Sequence, residues 1–453
     1  MSKTFRSWDV DQVWLLPPSL HDFVPAGHPA HFVREMVRES LDLSAILADY
    51  PEERGQPPYH PAMMTALLLY AYSRGVYSSR RIATACEERL DFMAVTGLQK
   101  PDFRTISDFR KRHLGALSGL FGQVLGLCRA AGLVKLGHVA LDGTKIKANA
   151  SKHKAMSYAR MVKAEAKLSA EVADWLAQAA AADAAEDREL GAAARGDEMP
   201  DWVANKQQRL AKIGAAKAAL EAKAAAEAAR DAQERAPKRP GRKPKPPPKV
   251  PAEVPADKAQ RNFTDPDSRI LKTKDGFIQG YNAQAAVDAG HQIIVAHGLT
   301  NSTSDQGQLE PMVARIEAMA GARPKELSAD AGYCSQGNLK ILEARAIRGY
   351  IATGRQKHGA AAAVGPRAAP PAFAGAPADR PGSLRAAMAT RLKRGGRRSR
   401  YRLRKITVEP VFGQTKEARG FRQFLLRGLD KVAHEWGLVC IAHNLTKLAA
   451  AAA

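Results

Sequence analysis

Cysteine is scarce. Only Cys86, Cys128, Cys334 and Cys440 occur in 453 residues, widely scattered and with no CxxC pair. That spacing argues against a disulfide framework and against a structural zinc site. No leader-like segment opens the chain, so a reducing, cytoplasmic setting is expected. Long apolar runs are missing too. The best candidate, AMMTALLLYAY, falls well short of the ~20 residues that span a bilayer, and it reads as a buried core helix. Acids are outnumbered: 46 Asp and Glu stand against 69 Lys and Arg, a net charge of +23. Such an excess points to nucleic acid or another polyanion as partner. The length exceeds what one hydrophobic core usually serves, so two or three units are expected.

Residues 1–136 show apolar positions at helical spacing in four blocks, from HPAHFVREMVRESL to TISDFRKRHLGALSGLFGQVLGLCRAAG. Basic residues near the starts of two of these, Ser78 to Arg81 and Thr105 to His113, are placed as in helix-turn-helix units, though a plain helical bundle with solvated Arg and Lys fits as well. From Gly137 the texture changes. GHVALDGTKIKANAS alternates around an Asp-Gly pair and reads as a hairpin. Residues 154–261 look like an insert: a long Ala, Lys and Glu rich helical stretch, then a Pro/Lys-rich tether. Within the tether, KRPGRKPK resembles a minor-groove AT-hook peptide, with Arg239 and Arg242 flanking Gly241.

Order resumes near Asn262. GFIQGYNAQAAVDAGHQIIVAHGLT reads as two strands, PKELSADAGY as a strand ending in Asp330, and GYIATG as another, with helices between. A second insert, rich in Ala, Pro and Gly, is expected over 355–396. Without the inserts the order is strand, strand, strand, helix, strand, helix, strand, helix. That order predicts an α/β fold of the ribonuclease-H-like class over 137–153 and 262–450, preceded by an α-helical N-terminal domain.

Three acids stand out on this skeleton. Asp142 ends the first strand in VALDGT, Asp330 ends the fourth in LSADAGY, and Glu409 sits in RKITVEPVFG, just past a run in which nine of the fifteen residues from Arg391 to Lys405 are Lys or Arg. Ligands gather beyond the carboxyl ends of strands in open α/β sheets, and converging carboxylates suit Mg²⁺ or Mn²⁺. Each acid also has a plainer reading. Asp142 before Gly143 suits a turn, Asp330 a helix cap, and Glu409 an ion pair with Lys405 or a neighbouring Arg.

With TISDFRKRH, VALDGTKIKANAS, DGFIQGYNAQAAVD, ADAGY and VEPVFGQTKEARGFRQFLLRG in place, nearly the whole chain resembles a bacterial DDE-class insertion-sequence transposase of the Tyr-Arg-Glu-Lys signature group. The resemblance implies that Asp142, Asp330 and Glu409 form the triad for two Mg²⁺ ions, with Mn²⁺ as substitute, and that Lys416 contacts DNA near the cut. It implies double-stranded DNA as partner, both element terminal repeats and target. It further implies a homodimer in the synaptic complex and a cytoplasmic, nucleoid-associated setting. The signature spacing is one residue off: Tyr401 and Arg404 fit the first gap, while counting back from Glu409 selects Lys405. On a regular helix Tyr401, Lys405, Glu409 and Lys416 share a face, which favours Lys405 slightly. Arg427, in FLLRG, is a further expected phosphate contact. The activity implied is metal-dependent cleavage at element ends followed by attack of the freed 3′-hydroxyl on target DNA. The rivals are a nuclease of the same fold without strand transfer and a basic DNA-binding protein with a decayed site.

Overall fold

The computed structural model describes residues 23–50, 57–190, 201–235, 254–273, 276–354 and 383–452. These form two compact units. One takes the residues up to Ile146, Asn282–Leu426 and the chain from Asp430; the other takes Lys147–Tyr281 and Arg427–Leu429. The AT-hook-like peptide and most of the expected second insert lie outside the described residues.

In the first unit, seven helices among the described residues precede the sheet: α1 (Pro29–Glu39), α2 (Ser44–Leu47), α3 (Pro61–Ser73), α4 (Ser79–Glu88), α5 (Leu90–Thr96), α6 (Phe103–Arg112) and α7 (Leu114–Ala130). Helix α3 starts at a proline whose missing N–H costs nothing there, and the His60 ring accepts from the Ala62 N–H. It is apolar all round and buried from Met64 to Tyr72, as the AMMTALLLYAY run predicted. Helices α4 and α6 pack together. Arg110, one of the basic residues in the helix-turn-helix-like segment, is buried: its guanidinium donates to the Tyr77 carbonyl at 2.8 Å and to the Ser79 hydroxyl at 3.2 Å. That arginine serves packing between helices and is not a solvent-facing group. The boundary drawn at residue 136 falls inside this unit, because the helices and the sheet belong to it together.

The sheet order is β6-β5-β1-β7-β8, with β1 at His138–Lys147, β5 at Gly276–Asp288, β6 at Ile294–Thr300, β7 at Glu326–Ala329 and β8 at Arg348–Ile351. Strands β5 and β6 are antiparallel, whereas β1, β7 and β8 run parallel. Backbone bonds from Ala289 to His138 and from Ala148 to Gln279 fix β1 and β5 as antiparallel. The chain is a mixed α/β protein. Helices α10 (Leu309–Ala320), α11 (Gln336–Ala344), α12 (Leu384–Gly395), α13 (Leu403–Gly413) and α14 (Leu429–Ala452) complete the framework. In α14, Asn444 accepts from the N–H of Ile294 and donates to its carbonyl, both at 2.9 Å, standing in for a strand partner. No helix among the described residues is long and apolar enough to cross a membrane.

Two sequence expectations change. The Asp142-Gly143 pair is not a turn: β1 is one continuous strand through both residues. The reason for glycine is proximity. A Cβ on Gly143 would come 2.7 Å from Asn282 Oδ1 and 2.8 Å from Asp305 Oδ1, besides striking Gln284 Nε2. And the expected irregular insert to residue 396 stops short, since 384–395 form helix α12, opened by Ser383 accepting from the Ala386 N–H.

The second unit contains β2 (Ala155–Ser157), β3 (Gln260–Asn262), β4 (Arg269–Thr273) and the helices α8 (Tyr158–Leu190) and α9 (Asp201–Arg235). The two helices form an antiparallel pair around Met161, Leu168, Ile213, Ala216 and Leu220, with Glu165–Lys217 and Glu171–Lys206 ion pairs alongside, each at 2.7 Å. Strand β4 pairs antiparallel with the first residues of β5.

Candidate functional site

Parallel pairing brings Asp142 and Asp330 together. Leu141 of β1 is in register with Ala329, the last residue of β7, so the next residue on each strand is an aspartate. Strand β7 stops there because Asp330 turns to cap a 3₁₀ turn at Ala331–Tyr333, accepting from the Gly332 N–H at 2.8 Å. The capping role anticipated for Asp330 is therefore realised, one turn earlier than the helix that Ser335 caps.

Asp142 faces Arg404. The guanidinium donates from Nη2 to Asp142 Oδ2 at 2.9 Å and from Nη1 to the Tyr401 hydroxyl at 3.3 Å, and its Nη2 lies 3.5 Å from Glu409 Oε1. The paired side chains are only 15% and 14% exposed, whereas Glu409 is 46% exposed. Burial pushes the Asp142 carboxyl up to about 6, against the pull of Arg404, while Asp330 adds to the rise. Asp330 is raised by burial too, with Arg404 opposing and Asp305 reinforcing. Burial alone would lower the Arg404 guanidinium, but Asp142 and Tyr401 together more than offset this and hold it charged.

Helix α13 explains the reach of Arg404. It runs unbroken across Pro410, which has no N–H for the Ile406 carbonyl; Gln292 Nε2 fills that role at 2.9 Å. After Gly413 the helix widens into a π turn at Gln414–Ala418 containing Lys416, whose Nζ donates to the Lys145 carbonyl at 2.9 Å. Burial lowers the Lys416 ammonium. The shared face expected for Tyr401, Lys405, Glu409 and Lys416 is not continuous: Tyr401 precedes the helix in a 3₁₀ turn and Lys416 follows it in the π turn. The residue turned to the acids is Arg404, and Lys405 is exposed. Arg427 belongs to the other unit, where its Nε donates to the Asn149 carbonyl at 2.9 Å.

One neighbour went unnoticed in the sequence. Asp305 accepts from Asn282 Nδ2 at 2.6 Å and from Gln284 Nε2 at 2.9 Å, and the Tyr333 hydroxyl donates to Gln284 Oε1. The signal was the alternation of Asn282 and Gln284 in YNAQAAVD, two polar residues on one face of a strand that is buried throughout this stretch. In this arrangement no three His, Cys, Asp or Glu side chains among the described residues are grouped to hold a metal ion.

Two stretches match known families. Residues 18–112 match a family described as Transposase domain (DUF772), and residues 379–449 match the Transposase DDE domain. The second match covers Tyr401, Arg404, Lys405, Glu409, Lys416 and Arg427; Asp142 and Asp330 fall outside both. Neither the curated proteins nor the solved structures contain a match. The two family matches support a DDE-type transposase, with DNA as the partner that such proteins imply.

Proposed function

We propose that the chain is a DDE transposase that binds the ends of an insertion element, cleaves them by metal-dependent hydrolysis and joins the 3′-hydroxyl ends to target DNA. The catalytic unit is of the ribonuclease-H-like class, a reading supported by the strand order and by the DDE-domain match. One observation carries the proposal: the in-register pair of β1 and β7, which sets Asp142 beside Asp330 with Arg404 on Asp142.

Carboxylate oxygens are the donors a hard divalent cation takes, although the three acids are not grouped as a metal cluster in this arrangement. Asp142 and Asp330 are adjacent carboxylates whose charged forms are disfavoured by burial, so a cation beside them is favoured, and Glu409 is a third oxygen donor already linked to Asp142 through Arg404. When bound there, Mg²⁺ or Mn²⁺ would supply activation of the attacking oxygen and stabilisation of the leaving one. Arg404 and Lys416 orient the scissile phosphate and balance its charge. Tyr401 holds the Arg404 fork by its hydroxyl. Lys405, on the exposed side of α13, binds the DNA backbone, and so does Arg427 of the other unit.

The test uses labelled DNA from the flanks of the chain's coding region, with Mg²⁺ or Mn²⁺, comparing wild type with Glu409→Gln. Nicking at the element boundary, lost in the variant while binding persists, is the expected result. Joining of the 3′ end to a target plasmid excludes a simple nuclease. Binding without cleavage in both proteins, with both ends present, would mean a DNA-binding protein with a decayed site.

A further inference from the structure

The basic run from Arg391 to Lys405 divides between two places. Arg404 turns to the acids, but Arg391, Arg394, Arg398 and Arg400 line a separate half-open cavity of about 590 Å³ together with Arg348 and Tyr350 of β8. None of Asp142, Asp330, Glu409 or Arg404 borders it. Three elements supply its five guanidiniums: β8, the last turns of α12, and the turns leading to α13.

Several of these groups are held in place. Arg348 lies over the Tyr350 ring, 5.9 Å from its centroid, and Arg391 Nη1 donates to the Gly349 carbonyl at 3.0 Å. Arg400 approaches Glu326 at 3.5 Å. Arg394 and Arg398 are exposed and have no acidic partner among the described residues. Five like charges converging on one cavity, with one carboxylate against them, repel one another, and a bound polyanion relieves that repulsion. Arg391 and Arg394 are one helical turn apart, about 4.5 Å along the axis, so they address neighbouring points on an extended anion. The donors are guanidinium forks, two on the last turns of α12 and the others on β8 and the turns before α13, and such forks suit backbone phosphates.

We infer that this cavity binds consecutive phosphates of a DNA duplex, a second stretch of backbone apart from the strand that meets the acids. The inference rests on the transposase reading and extends it to a surface beyond the catalytic carboxylates.

The test is fluorescence anisotropy of the full-length protein with an element-end duplex across a salt series. Wild type is compared with Arg394→Ala/Arg398→Ala and with Arg394→Lys/Arg398→Lys, all checked for unchanged melting. Loss of two phosphate contacts makes the slope of log K against log salt about 1.8 shallower, and the double alanine variant binds several-fold more weakly at moderate salt. The lysine variant retains most of the slope and reports on binding even where the alanine variant folds poorly. An unchanged slope in the folded alanine variant, with wild type binding normally, overturns the cavity assignment and leaves the transposase reading intact. An unchanged slope accompanied by lost binding of a fluorescent nucleoside triphosphate assigns the cavity to a free phosphate and also overturns the inference. Failure of wild type to bind any duplex removes both readings.

Discussion

The guanidinium of Arg404 and the carboxylate of Asp142, 262 residues apart in the chain, meet at 2.9 Å. The pair is nearly enclosed, and burial works against the charge on each partner, most visibly on Asp142. Each charge is tolerated because of the other.

Arg404→Ala should therefore leave a buried carboxylate without its counter-charge. Stability at pH 8 is expected to fall by about 3 kcal/mol, the order seen when one partner of a buried pair is removed. Asp142→Asn in the same background restores much of it, since no charge remains to be compensated. Urea denaturation of the four proteins in a double-mutant cycle reads the coupling; additive single effects would show that the pair contributes nothing jointly.

Gly143→Ala tests the packing beneath the acids. The added methyl meets Gln284, Asn282 and Asp305 together, so the strand or the amide network must move. A destabilisation of about 1–3 kcal/mol is expected from overpacking. DNA cleavage should fall further than DNA binding, because the shift begins one residue from Asp142. Equal losses in both would place the defect in folding alone.

The strand order was legible because period-2 apolar runs alternate with helical blocks, and Asp330 was legible as the residue where a strand stops, whereas Asp142 lies inside β1. What escaped depends on long-range pairing. Asp142-Gly143 looks like a turn in isolation, yet β5 and Asp305 approach so closely that only a glycine fits a straight strand there. The choice between Arg404 and Lys405 was equally closed to local reasoning. It follows from where β1 places Asp142 and from how α13 passes Pro410, neither of which helical periodicity encodes. Arg110 lies in the segment left open between a helix-turn-helix and a plain bundle, and its burial cannot be read from spacing.

Gln292→Ala probes the support of α13. Its amide donates to the Ile406 carbonyl that Pro410 leaves open, and its Oε1 accepts from Lys447 Nζ at 2.9 Å and from Gln414 at 3.2 Å. The substitution should cost about 1–2 kcal/mol, since a helix carbonyl and an ammonium lose partners. Adding Pro410→Ala supplies an N–H for Ile406, so the cost of Gln292→Ala should shrink by about 1 kcal/mol in that background. The same cost in both backgrounds, measured by urea denaturation, would show that the carbonyl does not depend on Gln292.

His297 sets an acid limit on the first unit. Its ring lies against Phe121 of α7, with centroids 4.6 Å apart, and beside Gly437 of α14. Burial pushes its pKa down to about 4, and Arg315 and His434 push the same way. Because the unfolded chain titrates near 6.5, it binds more protons than the folded state between these values. The stabilisation is fully present above pH 6.5 and is lost as pH falls towards 4, by up to about 3 kcal/mol for this one group. His443, pushed down to about 3 by burial and Arg419, adds a loss of the same sign. His297→Asn should therefore lose less stability between pH 7.5 and 5 than wild type does, by about 2 kcal/mol, whatever its stability at neutral pH. Urea midpoints at the two pH values decide it: a parallel fall in both proteins would mean that the His297 ring titrates alike in the folded and unfolded chains.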